Sequence, residues 1–291
     1  MRRRRDIRER MSVAVLTSWE RCGSDDHAIF RIEKAEGEPF FDFKAGQYAQ
    51  LAFWDQPEQD PRPRQFSIAS SPNSLDHLEF YAILVRDMPE NPGGLGIFTG
   101  TLWKHKVGDE ILYMGPAGRF TPDRTVERDI FCIATGTGLA PFVSMAREMW
   151  EDYQNNGPPD RRLTIIHGVS YTNELGYREL LEDMAADRDF GLLYVPTVSR
   201  PDQDEDWSAD LGRGRANDTC RLLLGHPKSG RVDPVISDED REALVDRLRP
   251  ESASVYLCGN PDMIDDCRGL LVDRGFRSGG RDSQIITEDY W

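Results

Sequence analysis

Four short segments of this 291-residue chain carry residue types that could do chemistry together. Arg64-Gln65-Phe66-Ser67 sets a cation, an aromatic ring and a hydroxyl along one strand-like stretch. A flavin asks for that set: a cation at its phosphates, a flat apolar face, and a hydroxyl near N5. The same four residues also read as an ordinary alternating strand. Ala134–Pro141 (ATGTGLAP) follows an apolar strand and opens a helical run. Gly136 and Gly138 permit a tight turn and close approach to a pyrophosphate, and Pro141 suits the first helical turn. Helix N–H groups and the positive dipole end then face the anion. It is not the full GxGxxG fingerprint, and its place at a strand–helix junction gives it weight.

Cys258-Gly259-Asn260-Pro261 again closes a strand and opens a helix. Ligands of open α/β sheets bind beyond the carboxyl ends of strands, so Cys258 is expected to face the crevice of Gly136. The alternative is a buried, inert cysteine before a turn. The chain closes on Thr287-Glu288-Asp289-Tyr290-Trp291, two rings where chain ends are normally polar. They are expected to pack on something flat, whether a ligand or the core.

The elements that must position these residues fall into two kinds. From residue 12 to about 120 the pattern is short strands between turn residues: 28–32, 48–53, 65–69, 78–85 and 110–114. That spacing implies an antiparallel barrel or sandwich. A charged, proline-bearing stretch, 121–128, reads as the linker. From Asp129 strands alternate with helices: 130–135 then 141–152, 163–168 then 174–187, 192–199 then the acidic loop 201–210, helix 237–248, and strand 254–258 then helix 261–274. Such alternation implies βαβ units on a parallel sheet.

Composition excludes several classes. No apolar run reaches the ~18 residues of a membrane span. A net charge of −15 argues against nucleic-acid binding, because phosphate backbones would be repelled. The five scattered cysteines form no CxxC pair and no iron–sulfur run, so no metal site is expected. They fit free thiols in a reducing compartment, with the cytoplasm as the expected address. Met1–Arg10 carries six arginines and is expected to be a disordered extension or a partner-docking tail.

In this order, the motifs resemble the ferredoxin/flavodoxin–NADP reductase family, in the bacterial branch ending in Tyr-Trp. The resemblance covers residues 12–291 and includes 64–67, 78–81, 96–102 with 108–110, 136–141, Ser199-Arg200, 258–261 and 288–291. It implies two domains, an FAD-binding antiparallel β-barrel (11–125) followed by an NADP-binding α/β domain (126–291). It implies FAD contacts at Arg64, Gln65, Phe66, Ser67, Tyr81, Ala82, Ile83, Ile97, Phe98, Thr99 and Thr137, with Tyr290 over the isoalloxazine and Trp291 over the adenine. It implies NADP contacts at Gly136, Thr137, Gly138, Ser199, Arg200, Arg213, Cys258, Gly259 and Asn260, with Arg200 and Arg213 at the 2′-phosphate. Ser67, Cys258 and Glu288 are implied as catalytic, the Glu288 carboxylate as proton relay to the flavin.

Three departures stand out. Phe66 replaces the usual Tyr, Ser170 replaces a common Arg, and Arg86–Leu95 reads as an inserted loop. The first two leave strict NADP preference open. The expected function is an FAD-dependent reductase exchanging a hydride with NADP(H) and single electrons with ferredoxin or flavodoxin, acting as a monomer. A reductase component of an oxygenase, a free flavin or ferric reductase, and a non-catalytic flavin-binding redox sensor are the alternatives. An acidic carrier needs a basic face, for which Arg119, Lys104, Lys106 and the arginine-rich extension are the candidates.

Overall fold

A computed structural model describes residues 7–57, 62–88 and 91–289. The strands of the first half are β1 (Ser12–Arg21), β2 (His27–Glu33), β3 (Tyr48–Ala52), β4 (Arg64–Ser67), β5 (His77–Ile83), β6 (Arg86–Met88), β7 (Asn91–Leu95) and β8 (Glu110–Ala117), with helix α1 (Ile97–Leu102) before the last. Six of them form one antiparallel sheet in the order β4-β3-β8-β1-β2-β5. A bridge from Ile68 to Phe80 links the two edges and closes the barrel. Its interior is aromatic: Phe30, Phe53 and Phe80 are fully buried, and Phe66 meets the Phe98 ring at 5.2 Å. Each such ring removes enough apolar surface to contribute about 1.5–3 kcal/mol.

The second half holds β9 (Asp129–Thr135), α2 (Ala140–Asn156), β10 (Arg162–Val169), α3 (Arg178–Ala186), β11 (Leu193–Val198), β12 (Gly212–Arg213), α4 (Ala216–Leu224), α5 (Asp238–Arg247), β13 (Ala253–Gly259), α6 (Pro261–Arg274) and β14 (Ile285–Asp289). The sheet is parallel throughout, in the order β12-β11-β10-β9-β13-β14. β9 lies between β10 and β13, so successive strands run outward from it in opposite directions. That reversal makes the crevice beyond β9 and β13 the switch point where such sheets bind ligands. No helix of the described residues is long and apolar enough to cross a membrane.

The two halves share one core cluster, which joins Ala45, Ala69, Tyr81 and Phe120 to α2 and the parallel sheet. A buried carboxylate reinforces the seam. Glu79 on β5 accepts from Arg31 at 2.6 Å, from Arg147 of α2 at 2.7 Å and from the Tyr177 hydroxyl at 3.0 Å. Burial alone would raise its pKa, but the two guanidiniums outweigh that and lower it.

Several expectations are corrected. Residues 7–10, assigned to a disordered extension, form a 3-10 turn, because Arg8 donates to Phe53 O and covers the Trp54 ring. Residues 1–6 lie outside the described set. Within 86–95, read as an inserted loop, Arg86–Met88 (β6) pairs antiparallel with Asn91–Leu95 (β7). The helix expected over 174–187 begins only at Arg178, because Tyr177 takes a left-handed conformation and Glu174–Gly176 is tied to the Tyr81 hydroxyl. The stretch 121–128 is pinned: Thr125 bonds Ser254 and Tyr256 at 3.0 Å each. Sequence patterning also missed α4.

Candidate active site

The barrel and the α/β half together line a cleft of about 1790 Å³. Ordinary small-molecule pockets span roughly 300–1,000 Å³, so this one has room for two extended ligands. One wall is the strand β4. Arg64, Gln65, Phe66 and Ser67 all line the cleft. Tyr81, Ala82 and Ile83 at the end of β5 continue this wall, and so do Ile97, Phe98 and Thr99 at the start of α1. The Thr99 hydroxyl accepts the Val85 N–H at 3.1 Å and holds α1 against the chain just after β5. An apolar floor beside Arg62 and Arg64 fits an FAD.

The opposite wall is built at the switch point. Gly136, Thr137 and Gly138 form a 3-10 turn that runs into α2, with Pro141 in the first turn of that helix. The Gly136 carbonyl accepts from Nε2 of His167 at 3.0 Å. His167 is fully buried, and burial pushes its pKa down to about 4, so the ring is neutral and Nδ1 is left to pair with the Tyr194 hydroxyl at 3.3 Å. His167 therefore fixes the turn from below. Gly259 and Asn260 line the same crevice. Asn260 also caps α6, accepting from the N–H groups of Asp262 and Met263 at 2.8 and 3.3 Å.

Cys258 is placed differently from its expectation. It is fully buried in the core, between Ala134 of β9 and Glu288 of β14, and does not line the cleft. Its carbonyl abuts the Gly138 turn. Glu288 meets the barrel directly: the Ser67 hydroxyl donates to its Oε2 at 3.2 Å. Burial raises the Glu288 pKa to about 7; the Ser67 hydroxyl opposes that rise and the Asp289 charge adds to it. A carboxyl poised there can hold or give up a proton at neutral pH. Tyr290 and Trp291 lie outside the described residues.

Ser199 and Arg200 line the far end of the cleft, the Arg200 guanidinium stacked over Tyr171 at 5.3 Å. Arg213 does not line it: it pairs with Asp202 at 3.0 Å and lies over Trp207 at 5.4 Å. Asp202 lines the cleft itself. Sequence reasoning missed Arg215, Asn217, Asp218 and the loop 229–232, all of which line this end. The signal available was a second Gly-Arg pair directly after the first, at Gly214-Arg215.

Residues 132–220 match the family model of the oxidoreductase NAD-binding domain. The chain is 30% identical over 261 residues to the ferredoxin–NADP reductase of Azotobacter vinelandii, covering 85% of each chain. It is 32% identical over 237 residues to the reductase component of propane 2-monooxygenase from Mycolicibacterium goodii, covering 79% of this chain and 55% of that protein. A ferredoxin–NADP reductase from Neisseria gonorrhoeae with bound FAD and NADP superposes with a TM-score of 0.72 at 25% identity, over 97% of this chain and 99% of that one. The barrel, the parallel sheet and this degree of likeness along most of its length place the chain in the ferredoxin–NADP reductase family.

Proposed function

We propose that this protein is an FAD-dependent ferredoxin/flavodoxin–NADP(+) reductase that passes a hydride between NADP(H) and FAD and single electrons to a small carrier. The observation that carries the reading is the meeting of two walls in one cleft: the Arg64–Ser67 strand on the barrel side and the Gly136–Gly138 turn on the sheet side. When bound, FAD supplies the conversion between two-electron and one-electron chemistry. Arg64 and the backbone of 81–83 and 97–99 would hold it, with Phe66 against the ring system.

Ser67 and Glu288 would sit at the reacting end, where Glu288 keeps or yields a proton. Gly136, Thr137, Gly138, Gly259 and Asn260 would hold the coenzyme against the flavin, with Arg200 at the 2′-phosphate. Cys258, buried, would act by positioning Gly138 and Gly259 through its backbone. Tyr290 and Trp291 are assigned to the flavin ring and the adenine. Gly118 lies close enough to Glu288 that an added methyl would come within 3.7 Å of its carboxylate, and the next residue, Arg119, is exposed. That rim is the proposed docking place for the carrier.

Anaerobic addition of NADPH to the FAD-loaded protein should bleach the flavin absorbance, and reduction of ferredoxin or flavodoxin should follow. A flavin that stays oxidised under NADPH overturns the reading. The 32% identity to an oxygenase reductase component supports a second reading, in which the electrons pass to an oxygenase. Comparing turnover with the two kinds of acceptor separates them.

A further inference from the structure

Arginines in this acidic chain generally find partners: Arg213 pairs with Asp202, Arg178 with Asp210, and Arg221 with Asp266. Five arginines line the cleft, Arg62, Arg64, Arg200, Arg215 and Arg231, and the last two differ from the rest. Both line the cleft, and among the described residues neither guanidinium has a hydrogen-bond or ion-pair partner. The segments that carry them are joined by an organised device. Asp218, in the first turn of α4, is fully buried. Its carboxylate accepts the Ser229 N–H at 2.5 Å, the Ser229 hydroxyl at 2.9 Å and the Gly230 N–H at 3.0 Å. Asn217 adds a bond to the Ser229 hydroxyl at 3.2 Å and another to Asp266 at 2.7 Å. The loop is thus drawn onto the helix start, so that Gly230 packs against Arg215, where a Cβ would lie 3.5 Å from Cδ.

A buried carboxylate spent on two backbone N–H groups and a hydroxyl holds a loop in place. The same loop carries Arg231, the residue after Gly230, into the lining of the cleft that Arg215 also lines. Two guanidiniums lining one cleft without carboxylate partners among the described residues leave positive charge there that a bound anion would neutralise. Meanwhile Arg213, one of the two cations the resemblance assigns to the 2′-phosphate, is engaged by Asp202.

We propose that Arg215 and Arg231, held by the Asp218 clasp, form a phosphate-binding site for the nicotinamide coenzyme, a site additional to the Gly136–Gly138 turn and Arg200. This rests on the coenzyme assignment made above. The shared chemistry is an organic phosphate, either the 2′-phosphate or the pyrophosphate.

The test is calorimetric titration of the FAD-loaded protein with 2′-AMP, 5′-ADP and 2′,5′-ADP. R215A and R231A should each weaken one phosphate class by about ten- to a hundredfold. Loss confined to 2′-AMP and 2′,5′-ADP assigns the 2′-phosphate; loss confined to the two 5′-phosphorylated nucleotides assigns the pyrophosphate. G230A alters no charge, but its methyl would fall 2.6 Å from the Asp218 carboxylate, so it should open the clasp and weaken the same nucleotides as R231A. Its melting temperature shows whether it is folded. R215A and R231A proteins that bind all three nucleotides as wild type does overturn the proposal and leave the function intact. Wild-type protein that binds none of them removes the coenzyme assignment itself. Unchanged affinity in folded G230A overturns the clasp.

Discussion

Ser67 Oγ donates to Glu288 Oε2 at 3.2 Å, a contact between residues 221 positions apart. One comes from the barrel's β4 and the other from the last strand of the parallel sheet, so the bond exists only when both halves are folded and docked. Because Glu288 has its pKa raised to about 7, the pair carries a pH dependence.

A carboxyl whose folded pKa lies above its unfolded value binds more protons in the folded state. Its contribution to stability is complete below the unfolded pKa and is lost as pH rises through about 7. Wild-type stability should therefore fall between about pH 4.5 and 7.5 relative to Glu288→Gln. Urea denaturation across that range measures the difference, and parallel curves for the two proteins would refute it. Flavin reduction should show a step near pH 7 that Glu288→Gln lacks.

Ser67→Ala removes the hydroxyl that lowers the Glu288 pKa. The step should then move to higher pH than in wild type. Titrating the rate of flavin reduction by NADPH in both proteins checks the direction, and an unmoved or downward step counts against the assignment.

Arg200 lines the cleft and stacks on Tyr171, and we assign it to the 2′-phosphate. Arg200→Ala should cost NADPH affinity about 1.5–3 kcal/mol, the worth of a charge-assisted contact, and leave NADH kinetics nearly unchanged. Steady-state kinetics with both coenzymes decide it; equal losses would place Arg200 elsewhere in the binding.

Glu79→Gln leaves Arg147 and Arg31 facing an uncharged amide at the seam. Removing one member of a buried ionic network costs about 3–5 kcal/mol, and the exposed Arg31 puts this one at the lower end. Since the Glu79 pKa is lowered on folding, its contribution holds above the usual carboxylate range and vanishes as pH falls below it. Denaturation at pH 7 and at pH 3.5 should show a large difference from wild type at the first and a smaller one at the second.

Gly138 touches the end of β13 so closely that an added Cβ would lie 2.5 Å from the Cys258 carbonyl oxygen and 2.7 Å from Gly259 Cα. Backbone cannot swing aside as a side-chain tip can. Gly138→Ala should displace the coenzyme turn, weakening NADPH binding at least tenfold while FAD stays bound. Binding titrations followed at the flavin spectrum give the answer.

Local patterning was enough to read a strand-turn-helix at 130–141 and at 254–274, because apolar runs, glycines and Pro141 or Pro261 act within a few residues of themselves. It also assigned the barrel half and the parallel-sheet half, since periods of 2 and 3.6 are local properties. Arg64–Ser67 and Gly136–Gly138 could be picked out by type and spacing, though not placed facing each other. What only the tertiary structure decided depends on contacts between distant segments. Tyr81 anchors Gly176 and delays α3 to Arg178, which no pattern near 174 announces. Sheet register buries Cys258 and Gly259 alike, yet of the two only Gly259 lines the cleft, although the motif offered both. Arg213 and Arg215 stand in the same Gly-Arg context, yet Asp202 takes the first while the Asp218-held loop packs Gly230 against the second, which lines the cleft. Residue identity supplies the charges; which of them stay without a carboxylate partner is settled only when the loops close around the sheet.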